Sequence, residues 1–298
     1  MASPIRHVMT HVGDALFRVA PEREREFDTA LNHFDLIYLP DRQWRLNANP
    51  KTREIFISRG VVELLWCASL AHYRFYTRTL VGKRFVAAGE IDLQADPQLR
   101  DAFALLRWSL HGQKTGDNAG DWPTGLPQPS PGNPVDSDEN VASELALVAA
   151  GFFLHHEMAH LNAGHQAGVS AELSIEQEKE ADNAALDWIL DGVPVLTDGR
   201  FKKRLLGIAN ALLLTNALGL HGISSLGGNT HPFSPDRLAS ALRRTLGSEP
   251  HVATAFSWSV LSLHFQVSGR RLSVPDSYDD FEAALDALCN GLAAELAR

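Results

Sequence analysis

Residues His156-Glu157-Met158-Ala159-His160 read H-E-x-x-H. Residues four apart on an α-helix lie one above the other, so His156 and His160 can present two imidazoles to one ion. A catalytic zinc site takes three protein ligands and leaves a fourth position for water. Glu157 directly follows the first ligand and can reach that position, where a general base has to be. The third ligand is expected downstream. Glu178 and Asp182 are four apart and share a helical face, whereas Glu180 points elsewhere. Glu178 is therefore assigned as the third ligand. Asp182 is assigned to accept the N–H of His156 and fix its tautomer. Glu176 and Glu180 need no role beyond an acidic first turn that complements the helix dipole.

Two helices must carry these groups. The run from Val141 to Ala150, continued by Phe152, Phe153 and Leu154, reads as a mostly buried helix that flows into the histidines. Gly164 and Gly168 weaken it. Ser174 with Gln177 is a capping-box pattern, which predicts the second helix from Ile175 to about Leu190. Upstream, residues 9 to 20 hold a short amphipathic pattern, and Pro21 opens a charged helix from Glu22 to about Leu31. Phe34 to Leu39, Leu46 and Ile55 to Ser58 carry strand signals and predict a small antiparallel sheet. Asn49-Pro50-Lys51-Thr52 reads as the turn between two of its strands. Gly60 to about Leu80 should be a helix, and Asp96 should open another through Trp108. From Gly112 to Asn140 the density of Gly, Pro, Asp and Ser predicts a long surface insertion just before the metal-binding helix, with Trp122 as its unusual residue. It is read as a mobile insertion, with a lid over the cleft as the alternative.

Further along, Leu205 to Leu220 holds no charge but is shorter than the roughly 20 residues a bilayer demands. A buried core helix is predicted. Ser234-Pro235-Asp236 opens a helix with Pro at its first position. His264 reads as structural, His251 as exposed, and Tyr278 to Leu296 as an amphipathic helix.

At 298 residues and 45% apolar, the chain can bury a substantial core. A net charge of −9 argues against phosphate-backbone binding as the main activity, so no nucleic-acid partner is expected. Cys67 and Cys289 imply no disulfide framework. The stretch Met1 to His7 lacks the apolar core of a secretion signal, which predicts a cytoplasmic protein without a membrane partner.

The H-E-x-x-H followed by Glu178-Lys179-Glu180-Ala181-Asp182 resembles the gluzincin zinc peptidases, most of all the Ste24/HtpX-type and the Lit-type phage-exclusion peptidases. His165 extends the first motif to H-E-x-x-H-x-x-x-x-H. Trp44 to Asn49 followed by Ile55 to Leu65, and Thr230-His231-Pro232 with Arg237-Leu238, resemble further segments of those families. The resemblance implies an α+β, zincin-like fold, mainly helical, with a small sheet beside the active-site helix whose edge strand, Trp44 to Asn49, binds substrate. It implies that His231 stabilises an oxyanion, and Arg237 could brace Glu178 or Asp182. The expectation is a single zincin-like domain over 1–298, with the insertion at 112–140 and a C-terminal helical segment at 251–298. It would hold one zinc per chain and hydrolyse a peptide bond in an intracellular protein, as a regulated defence protease. Two alternatives stand beside it: an ImmA/IrrE-type peptidase that cleaves a repressor, and an inactive zincin acting as a binding module. The intact Glu157 speaks against the last. The Ste24/HtpX resemblance would favour a membrane peptidase, and the hydropathy does not.

Overall fold

A computed structural model describes residues 3–27, 33–81, 84–85, 92–116, 121–166, 168–193, 199–223, 234–244, 250–267, 286–287, 289–291 and 294. The chain opens with helix α1 (Arg6–Arg18), a 3-10 turn (Pro21–Arg23) and the short α2 (Glu24–Phe27). Strands β1 (Asp35–Leu39), β2 (Leu46–Asn49) and β3 (Glu54–Ser58) follow, then α3 (Arg59–Thr79), a two-residue ladder of β4 (Leu80–Val81) with β5 (Arg84–Phe85), and α4 (Pro97–Thr115). The long α5 (Asp138–Ala163) and α6 (Ala171–Leu190) carry the motif residues. Helices α7 (Gly199–Leu220), α8 (Ser234–Arg244) and α9 (Pro250–Val267) pack behind them.

Helix α5 is the centre of the packing, touching α1, α3, α6, α7 and β2. Its sequence explains why: Ala142, Ala146, Ala149, Ala150 and Gly151 keep its flanks thin, while Phe152, Phe153 and Leu154 fill the space beyond. A helix apolar all round belongs inside a protein. Ser137 caps its first turn by accepting from the Asn140 N–H, and Arg74 clamps that end through Asp138 at 2.9 Å and Glu139 at 2.7 Å.

The sheet is mixed rather than antiparallel. Its order is β1-β3-β2, with β1 parallel to β3 and β2 antiparallel to β3. The expected turn joins β2 to β3, and Arg53 sits in it at φ 55°. The Arg53 guanidinium donates to the Leu161 carbonyl at 3.3 Å and to Asn162 Oδ1 at 3.0 Å, which ties the hairpin to the end of α5. Strand signals record side-chain alternation and not strand direction, so the parallel pairing was invisible in the pattern.

Other expectations shift at their edges. Helix α4 runs on to Thr115 and α5 starts at Asp138, and the described residues between them, 116 and 121–137, are irregular. Gly112 lies within α4, and its lack of a side chain makes room for the Arg42 guanidinium: a Cβ there would fall 2.5 Å from the Arg42 Cζ. Trp122 is half-buried, edge-on to Trp66 and Trp108, and donates to the Pro127 carbonyl at 3.0 Å. It pins the described part of the stretch to α3 and α4. Ser143, which bonds the same Trp66, is 13 residues before His156, about 20 Å along the helix. The contact thus lies far from the motif. The charged helix after Pro21 is a 3-10 turn followed by α2, described as far as Phe27. His231 and most of 278–296 lie outside the described residues, as does the side chain of His251.

Helix α7 is buried from Phe201 onward, as a core helix should be. Among the described residues no helix is long and apolar enough to cross a membrane. A deeply buried polar patch at α7, around Asn210, is a relay. The Ser69 hydroxyl donates to the Leu65 carbonyl at 2.7 Å, and Asn210 Nδ2 donates to Ser69 at 2.9 Å. His72 Nδ1 meets Asn210 Oδ1 at 2.6 Å, His264 Nε2 meets His72 Nε2 at 2.8 Å, and His221 Nε2 meets His264 Nδ1 at 3.2 Å. With all three rings neutral, each of these bonds has one donor and one acceptor. His264 is structural, as its apolar surroundings predicted.

Burial pushes the pKa of His72 down to about 4; for His221, burial and the nearby Lys114 do the same. Burial and the two neighbouring rings hold His264 well below the usual range. A histidine kept neutral in the fold but titrating near 6.5 when unfolded stabilises fully above pH 6.5 and loses that contribution as pH falls. Stability should therefore drop between pH 6.5 and about 4, with His72 alone worth about 3 kcal/mol. Urea midpoints taken across that range check this, and a flat profile would contradict it.

A second test concerns Gly60. A Cβ there would sit 2.0 Å from the Arg42 carbonyl oxygen, while the Gly60 carbonyl accepts from Gln113 Nε2 at 2.8 Å. The facing atom is backbone and cannot yield cheaply. Gly60→Ala should cost about 3 kcal/mol or more, despite the better helix propensity of Ala. A melting temperature equal to wild type would show that the two segments part without penalty.

Candidate metal centre

Helix α5 ends where Gly164 adopts the left-handed conformation, φ 68°. The His160 carbonyl then accepts from the Gly164 N–H, and from the His165 N–H at 3.1 Å. Such a C-terminal cap reverses the chain, and glycine is the residue that takes it without strain. Ser170 caps α6 by accepting from the Leu173 N–H. This corrects the predicted start at Ile175. Ser170 and Ser174 are both plausible caps four residues apart, and the left-handed Gly168 leaves the chain ready to begin at the first. Helix α6 then runs back along α5 and lays Glu178 and Asp182 against the two histidines.

The resulting triangle is small. His156 Nε2 lies 3.1 Å from His160 Nε2, and the Glu178 oxygens lie 3.4 Å from each. A tetrahedral zinc with bonds of about 2.0–2.1 Å would hold its ligand atoms about 3.3–3.4 Å apart, so the donor set fits such an ion within a few tenths of an ångström. Among the described residues, these three form a group that could hold a metal.

The electrostatics agree. His156, Glu178 and Asp182 are each less than a tenth exposed. Asp182 Oδ1 lies 2.9 Å from His156 Nδ1. Arg237, from α8, grips the same carboxylate with two bonds, Nε to Oδ2 at 2.7 Å and a terminal nitrogen to Oδ1 at 2.6 Å. Burial pushes the Asp182 carboxyl up, but the Arg237 guanidinium and the His156 N–H outweigh it and hold it below the usual carboxylate range. The carboxylate therefore accepts from Nδ1–H, so that whenever the ring is neutral its lone pair is on Nε2, toward the triangle. Burial lowers the His156 pKa, yet hydrogen bonds to Asp182 and Glu178 overcome this and raise it to about 9. The pocket is one that attracts positive charge. For Arg237 burial works against the charge, and Asp182, Glu178 and Glu157 together hold it. Glu157 is half-buried, beside the triangle and within electrostatic reach of that guanidinium.

The structure thus brings His156, Glu157, His160, Glu178, Asp182 and Arg237 together, with Arg237 on Asp182. His231 lies outside the described residues. The pattern reading passed over Glu180, whose Oε2 lies 3.2 Å from His165 Nε2. It does point away from the triangle on its helix, but the chain reversal at Gly164 carries His165 round to meet it. A glycine cap four residues past His160 was the available signal.

A histidine pair and two carboxylates closed into a buried pocket by a helix hairpin are equipment for hydrolytic chemistry. Residues 55–258 match the peptidase U49 family, and the chain belongs to that family. It is therefore a peptidase, and the resemblance to the Lit-type peptidases holds. The chain is 28% identical to the cell death peptidase of Escherichia coli (strain K12), over 97% of this chain and 98% of that protein. No solved structure matches the chain significantly.

The Asp182–Arg237 pair is buried on both sides, with side chains 12% and 10% exposed. Removing one partner of such a pair strands the other. Arg237→Leu should destabilise by about 3 kcal/mol, and adding Asp182→Asn should restore part of that loss. Strict additivity of the two losses in urea unfolding would show that the pair is not coupled.

Proposed function

We propose that the protein is a zinc-dependent endopeptidase that cleaves an intracellular protein, and that His156, His160 and Glu178 are the metal ligands. The observation that carries this reading is the 3.1–3.4 Å triangle of donor atoms, with the half-buried Glu157 next to His156 in the chain. A zinc ion there would supply Lewis acidity, lowering the pKa of a water and polarising the scissile carbonyl. Glu157 takes the proton of the attacking water and passes it to the leaving amine, the two tasks of one general base and acid. Asp182, braced by Arg237, keeps the His156 lone pair facing the cation. His231 is assigned the oxyanion, by the family resemblance alone. Strand β2 has only β3 as ladder partner among the described residues, and its free edge suits an extended substrate backbone.

The relative's name, a cell death peptidase, supports a cell-death or defence role; regulated cleavage of an abundant cellular protein is what the Lit-type resemblance implies. The protein would work in the cytoplasm as a single zincin-like unit. The experiment is direct. Purified protein should carry one zinc per chain and lose it to a chelator. Glu157→Gln should keep the metal and cut turnover by about 10²–10⁴-fold. Expressing both forms in a bacterial host and comparing newly formed protein termini identifies the substrate. Equal termini from wild type and Glu157→Gln would exclude Glu157 as the base, and a wild type that takes up no zinc would exclude the metal.

A further inference from the structure

We propose that His165 and Glu180 form a second orienting arm, which acts on His160 as Asp182 acts on His156. The proposal rests on the zinc reading above for its purpose but not for its geometry. His160 Nδ1 lies 2.8 Å from His165 Nδ1, and His165 Nε2 lies 3.2 Å from Glu180 Oε2. The His165 side chain is 8% exposed and that of Glu180 67%.

Two ring nitrogens at hydrogen-bond distance share one proton, so the direction of the bond must be settled from outside. Glu180 settles it. An ionised carboxylate only accepts, and His165 Nε2 must therefore carry a hydrogen toward it. Neutral His165 then has its lone pair on Nδ1 and accepts from the N–H of His160 Nδ1. His160 is left with its lone pair on Nε2, directed at the triangle with His156. The opposite polarity would face the His165 Nε2 lone pair against the Glu180 carboxylate, two acceptors in contact. The chain from Glu180 through His165 to His160 thus has one favourable direction, and it is the one a metal ligand requires. The backbone builds the arm. Because His160 carbonyl accepts the His165 N–H across the cap at Gly164, the two rings are held face to edge, 4.9 Å between centroids.

His165 and Glu180 are positioning residues, and their removal should be read in tautomer and affinity rather than in turnover. In chelator-treated protein, nitrogen NMR of the histidine rings should show His160 protonated on Nδ1. In His165→Leu that preference should be lost, and a zinc competition assay should give a dissociation constant raised 10–100-fold. Glu180→Ala should act the same way but more weakly, since its carboxylate is mostly in water. Melting temperatures of the metal-free forms should stay within a few degrees of wild type, which separates orientation from folding. Wild-type zinc affinity together with an unchanged His160 tautomer in His165→Leu would overturn the proposal. So would a wild-type His160 protonated on Nε2, as a doubly protonated His165 would produce. If His165→Leu does not fold, the exposed Glu180→Ala decides alone, by the same two readings. If wild type binds no zinc, the preceding reading falls, while the tautomer comparison still decides the arm.

Discussion

Two carboxylates, Glu178 and Asp182, are buried between a pair of helices, and the architecture answers to that fact. Isolated buried charge is costly, and a protein keeps it only by supplying partners in good geometry. Asp182 has three bonds to two cationic or proton-bearing side chains. Glu178 has two imidazole nitrogens at 3.4 Å. Meeting those needs requires two helices held at fixed rotation against each other and a third, α8, to bring in Arg237. A packed interior that cannot deform cheaply is what keeps that rotation fixed.

The rigidity comes from α5 being enclosed. Its alanines let α3 and α7 approach closely, Arg74 pins its beginning, and Arg53 and the Gly164 cap pin its end. The segment before α3 does a related task. Arg42, nearly inaccessible, pairs with Glu63 at 2.8 Å and lies over Trp108 at 4.0 Å, locking the loop after β1 against α3 and α4. Gly60 and Glu63 belong to one of the stretches on which the family resemblance rests. Their surroundings explain that pattern as packing, since neither reaches the metal centre.

The clustering of His156, His160 and Glu178 was legible in the sequence because its information is local: four-residue spacings survive whatever the tertiary structure does. Helices α3, α5 and α7 were legible for the same reason, long apolar runs having few other fates. What the pattern withheld was pairing. The direction of β1 against β3, the burial of Trp122 between Trp66 and Trp108, and the meeting of His72 with His264 each join residues far apart in the chain. The miss at Glu180 differs in kind. Its place on α6 was read correctly, but its partner sits on a cap whose turn depends on one glycine. The start of α6 was likewise set four residues late, at the cap that Ser174 offers, because a second serine at 170 caps the helix first.

The two sides of the triangle differ in their contact with water, and that difference orders the chemistry. Behind His156 lie the buried Asp182 and the Arg237 guanidinium that grips it, so this side is fixed. On the other side His160 is half-buried and Glu180 is two-thirds exposed, and Glu157 stands between the regimes. The half-buried Glu157 and His160 give this outer side its contact with solvent. A fixed inner face with an accessible outer one is what a hydrolytic centre requires: preorganised dipoles cost no rearrangement at the moment of reaction, while solvent still has a way in. Helix hairpin geometry produces this division, because α6 covers one flank of α5 and leaves the flank bearing Glu157 partly open.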